Sequence, residues 1–118
     1  MHLGLALRAL EFTPEQSAQI DPLLRAHRDA AEAARSATEA ARRALADQVG
    51  ADAFDEAAIR AKAAAVATFD ADRAVADAAL LRDVRALLTA EQREELDRQL
   101  ATRPESLDRG AAPRREGR

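Results

Sequence analysis

Histidine is the side chain that most often serves as proton shuttle and metal ligand, and the 118-residue chain has two, His2 and His27. They do not form the HxxH or HxxxH pair that would set two imidazoles on one helix face. With no cysteine, thiolate metal sites and disulfides are excluded. No metal site is assigned; His2 and His27 are the candidates left, and a site built from His2, a carboxylate and a dimer mate stays open. Catalysis finds no footing either. No nucleophile has a neighbouring base, and no glycine loop could cradle a phosphate. Glu94, Glu95 and the many aspartates read as solvated helix faces. The expectation is a protein that is not an enzyme, needs no cofactor and works through a binding surface.

A second kind of chemistry is local and structural. Phe12-Thr13-Pro14-Glu15-Gln16 and Leu88-Thr89-Ala90-Glu91-Gln92 are one pentapeptide pattern used twice. In each copy the threonine hydroxyl can accept from the backbone N–H three residues on, and the glutamine can reach back to the threonine N–H. That is a capping box, with Pro14 suited to the first helical position. A single box is a weak signal; two copies, each after a large apolar residue and separated by long helical stretches, are far more specific.

The elements that position these motifs follow from the spacing of breakers. No Gly or Pro interrupts 23–49 or 51–103, so two long helices are predicted. The first opens at Thr13, meets Pro22, and runs to about Gln48. At Pro22 the spacing predicts a kink, or a restart with Asp21 as a new cap. Ile20, Leu24, His27, Ala31, Ala34, Thr38, Ala41 and Leu45 alternate steps of four and three, a heptad seam with small residues at its centre. Gly50 ends the helix, and Asp52 or Asp55 caps the next. This second helix, about Asp55 to Leu88, lines up Ile59, Val66, Phe69, Ala76, Leu80, Val84 and Leu87, with Arg73 on or beside the stripe. A short helix follows Thr89 with Leu96 and Leu100 inward. From Arg103 the chain reads as a disordered tail, so the domain is placed at 1–102 and the tail at 103–118. Two long helices joined by a short loop lie antiparallel.

Composition sets how such a hairpin is stabilised. Hydrophobic residues are 47% of the chain, but about a quarter of all residues are alanine and aromatics are only 3%. Large side chains supply most burial free energy and alanine little, so a monomer has a thin core and a partner chain is expected. Charged residues are 33% with a net charge of −3, Lys62 being the one lysine. There is no basic stripe of the kind that neutralises phosphates, so nucleic acid is not an expected partner. Met1–Leu10 is too short for a signal peptide or a membrane span.

The paired motifs resemble those of the Spy/CpxP family of small periplasmic proteins, whose signature is a repeated Leu-Thr-x-x-Gln. The resemblance covers roughly residues 10–105. It extends to Phe54-Asp55, where the family commonly has Phe-Asp, and to the Arg103-Pro104 step. Thr13, Gln16, Thr89 and Gln92 are the motif positions; Phe12 replaces leucine, and Met1 is the only methionine. The resemblance implies an all-α fold, a long antiparallel helical hairpin with short flanking helices in a cradle-like homodimer. It implies a periplasmic location, with the export signal absent from these residues, and ATP-independent capture of unfolded or aggregation-prone proteins on a concave surface. The family also includes a regulator of a membrane sensor kinase and relatives in metal resistance or sensing, which gives the alternative of a heavy-metal sensor or a regulator of a membrane stress-signalling partner.

Candidate client-binding residues are Phe54, Ile59, Val66 and Phe69, flanked by Arg60 and Arg73, with Arg82 and Arg85 further along. Arginine can pair with client carboxylates or stack on aromatics while its stem covers apolar surface. The same apolar residues also fit the core of the hairpin or of a dimer, and the arginines fit i,i+4 pairs.

Overall fold

The computed structural model describes residues 3–102; His2 and the tail placed at 103–118 lie outside the described residues. Four helices, α1 (Leu3–Arg8), α2 (Pro14–Val49), α3 (Glu56–Arg85) and α4 (Ala90–Ala101), hold 84% of the described residues, with no strand among them. The two long helices pack along one another as a hairpin, and α1 packs against α4.

Each boundary has a local cause. Thr13 is extended (φ −70, ψ 163) and closes a capping box with Gln16, with Pro14 in the first turn. Gly50 ends α2 with φ −86, a backbone that any residue adopts, and a Cβ there would meet only the Ala46 carbonyl oxygen at an ordinary 3.6 Å. Of the two aspartates, Asp55 caps α3, its carboxylate accepting from the Ala58 N–H at 3.1 Å. The last turn of α3 tightens into i→i+3 bonds, Leu87 N–H to the Val84 carbonyl at 2.9 Å and Leu88 N–H to that of Arg85 at 3.1 Å. The helix therefore stops at Arg85, three residues before the predicted end, and frees Thr89 to cap α4.

Pro22 does not divide α2, which is helical from Pro14 to Val49, so the predicted restart at Asp21 does not occur. The physical reason is position. Proline deprives the carbonyl four residues back of its donor, and both Ala18 and Pro22 are exposed, so the freed carbonyl belongs to a solvent-facing stretch and not to the core.

Burial is concentrated at one end. Leu3, Ala6, Leu7 and Leu10 from the first segment join Ile20 of α2, Leu80, Leu81, Val84 and Leu88 of α3 and its exit, and Leu96 of α4. Phe12, Leu23, Leu24, Leu87 and Leu100 pack around this cluster. The predicted α2 seam is buried or half-buried except at Ala34. On α3, Val66, Leu80 and Val84 are buried and Ile59, Phe69 and Leu87 half-buried, while Ala76 and Arg73 are exposed. Beyond the clustered end only two helices remain, joined largely by alanine.

Candidate functional site

Three features of this frame could act on a partner: the junction of the two motifs, a cleft midway along the hairpin, and the loop end.

At the junction the two motifs meet. The Thr13 hydroxyl accepts from the Gln16 N–H at 3.1 Å and Gln16 Oε1 from the Thr13 N–H at 3.0 Å. Thr89 and Gln92 repeat this at 3.2 and 2.9 Å. The glutamine amides then pair with each other, Gln16 Nε2 donating to Gln92 Oε1 at 2.7 Å and Gln92 Nε2 to Gln16 Oε1 at 3.0 Å. Each Nε2 spends its second hydrogen on the backbone just ahead of the other motif: Gln16 on the Leu87 carbonyl at 2.9 Å, Gln92 on the Glu11 carbonyl at 2.8 Å. Both donors and both lone pairs of each amide are used. The two glutamines, like the corresponding positions of the two motifs, are offset by 76 residues, and the same offset matches Ile20 to Leu96, each 0% exposed. It also matches Asp21 to Asp97 and Leu24 to Leu100. The repeat is thus thirteen residues long, 12–24 and 88–100, and folds as a local two-fold clasp. Nearby, Arg85 pairs with Asp97 at 3.0 Å and Arg93 Nε donates to the Arg85 carbonyl at 3.0 Å, which fixes α4 against the exit of α3. On α4 the exposed Glu95 carboxyl is held below its ordinary range by hydrogen bonds from Gln99 and then Arg98.

Midway, α2 and α3 part around a cleft of about 510 Å³. Its lining includes Ala31, Ala34, Phe69 and Ala76 together with Arg35 and Arg73. His27 lies at one end, its Nε2 2.8 Å from Asp77 Oδ1, with both side chains largely covered. Arg42 and Asp70 form the other cross-helix pair, at 3.2 Å and well exposed. The seam histidine is therefore a hydrogen-bonded link between helices. Sequence reasoning missed its partner, because Asp77 lies fifty positions away and no local spacing marks it.

At the loop end, large apolar side chains are left in solvent. Phe54 is 82% exposed and Val49 63%. Phe54 precedes the Asp55 cap and Ile59 occupies the fourth helical position, the places of a hydrophobic staple, yet Phe54 is not packed there. Among the other client-binding candidates, Val66 is buried between the helices, and Arg60 is occupied by Glu56 at 2.7 Å. Phe69 and Arg73 face the cleft, so the structure divides these residues between core, cleft and tip rather than bringing them together.

Residues 5–100 match the family model described as LTXXQ motif family protein. The chain belongs to the LTXXQ motif family. This is the family of Spy/CpxP-like periplasmic proteins, generally periplasmic and associated with stress or metal resistance. Comparison with curated proteins and with solved structures returned no match. Metal resistance raises the question of ligands. Among the described residues no group of three or more His, Cys, Asp or Glu side chains is placed to hold a metal ion, so those residues do not by themselves fit a metal centre. Nor is any described helix of this LTXXQ protein long and apolar enough to cross a membrane.

Proposed function

We propose that the chain is an ATP-independent periplasmic chaperone or stress adaptor, acting as a homodimer and without catalytic chemistry, that reversibly holds unfolded or aggregation-prone proteins. The observation that carries this reading is the contrast between the two ends of the hairpin. One end buries all but Leu5 of its core-forming leucines in a four-helix cluster; along the rest, Phe54, Val49 and Val75 stand 82%, 63% and 68% exposed. Val49 and Phe54, at the two sides of the loop between α2 and α3, give the loop end apolar surface on which a client segment can bind. Arg42 and Arg60, on the part of the hairpin away from the cluster, are held only in exposed ion pairs, which contribute little to stability, and are available for exchange with client carboxylates. Such contacts are individually weak, which suits capture and release.

The deciding experiment is aggregation of a denatured test protein, without nucleotide, at sub- to equimolar chain. Wild type should suppress light scattering. Phe54→Ser with Val49→Ser should lose most of that effect while keeping the wild-type melting temperature. Unchanged aggregation in the presence of wild-type protein defeats the chaperone reading.

A second reading, a periplasmic metal sensor or regulator of a membrane stress-signalling partner, draws its support from the family's association with stress or metal resistance. A rise in melting temperature with a transition metal ion, lost in His27→Gln, together with no suppression of aggregation, would favour it.

A further inference from the structure

We propose that the mid-hairpin cleft is a binding site for a zwitterionic single-chain amphiphile, a lipid with one acyl tail and a headgroup carrying a phosphate and an ammonium. The volume, about 510 Å³, lies within the range of small-molecule sites, which are mostly apolar with a few polar groups that fix orientation. Alanines and Phe69 make up the apolar part of the lining, a surface that suits an alkyl chain and offers it no hydrogen bond.

Charge selects the headgroup. Eight charged or ionisable residues line the cleft. Four cancel in the cross-helix pairs His27–Asp77 and Arg42–Asp70. The other four are Arg35 and Glu39 from α2 and Asp72 and Arg73 from α3, none with a hydrogen bond or ion pair among the described residues. Two guanidiniums and two carboxylates therefore remain to be matched. Guanidinium forks bind phosphate oxygens with two parallel hydrogen bonds, and the carboxylates accept an ammonium. A purely anionic ligand leaves Glu39 and Asp72 opposed, and a cationic one leaves Arg35 and Arg73 opposed; a zwitterion satisfies both sets. The arginine stems would lie along the tail while their heads hold the phosphate.

The test is calorimetric titration of the full chain with dodecylphosphocholine below its micelle-forming concentration. Two control ligands separate the contributions: dodecyl maltoside, with the same tail and no charge, and phosphocholine, with the head and no tail. Saturable binding of one molecule per chain, at least tenfold tighter than either control, is expected. The exposed double variant Arg35→Gln with Arg73→Gln should weaken binding tenfold or more at unchanged melting temperature. Ala34→Trp, which sets an indole in the cleft from an exposed lining position, should abolish it. Equal affinity for dodecyl maltoside would reduce the cleft to unselective apolar contact, and an unaffected double variant would place binding elsewhere. Either outcome, or absence of saturable binding, overturns the proposal.

Discussion

Each motif glutamine does two jobs with one amide. Its oxygen caps its own helix and its nitrogen crosses to the other motif. Replacing Gln16 by Glu keeps an acceptor for the Thr13 N–H but removes the donor to Leu87 and Gln92, so a loss of about 1–3 kcal/mol is expected from denaturant unfolding. Because Gln92 depends on the same partner, Gln16→Glu and Gln92→Glu should be non-additive, with a coupling of about 0.5–3 kcal/mol in a double-mutant cycle. Thr89→Ala removes only a cap and should cost about 1 kcal/mol; an unaltered melting curve would refute the capping role. At Glu95 the sign follows from its partners. The Gln99 and Arg98 hydrogen bonds favour the charged carboxyl, so whatever stability it contributes is present above its unfolded titration range and lost as pH falls through the depressed one. Side-chain NMR should find Glu95 titrating below an ordinary glutamate, and Gln99→Leu should move it upward.

Among the elements, Pro22 offers the cleanest test. Since α2 passes through it, Pro22→Ala restores a donor to the Ala18 carbonyl and should stabilise the chain by about 1–3 kcal/mol, read as a rise in denaturant midpoint. Leu96, fully buried, should cost about 2–5 kcal/mol as Leu96→Ala. Much of this scale was legible in the sequence. Thr13, Gly50, Asp55 and Thr89 announce helix ends because caps are short-range chemistry, and the α2 seam is visible as a heptad. The role of α1 was less so: Leu3, Ala6, Leu7 and Leu10 have helical spacing, but six helical residues give too little pattern to separate a core element from a bare apolar start. Leu81 escaped because α3 is apolar on several sides, so no single stripe stands out. The amide pairing of Gln16 and Gln92 was hidden for another reason. The pentapeptides are plain, but nothing in a linear chain says that two capping residues will also bond each other.

For the whole molecule, the buried apolar cluster and the exposed apolar side chains of the loop end are spatially divided. The leucine cluster and the clasp hold one end, while the remainder is a slim two-helix rod with apolar side chains in water. Substitutions at Phe54 should consequently change interactions and leave folding alone, whereas those at Leu96 should do the reverse. The contrast can be read by pairing scattering assays with thermal melts on the same two variants.

The clasp has a geometric consequence for how the molecule presents itself. By joining the segment ahead of α2 to the start of α4, it gathers the first and last described helices at one pole, and leaves residues 50–55 at the other, about 50 Å away along a 36-residue helix. Dyes placed at Gly4 and Thr102 should therefore report close neighbours, and one at Asp52 should sit near the limit of energy transfer from either. Held by whichever terminus, the rod would point its greasy tip outward like a boom from a mast.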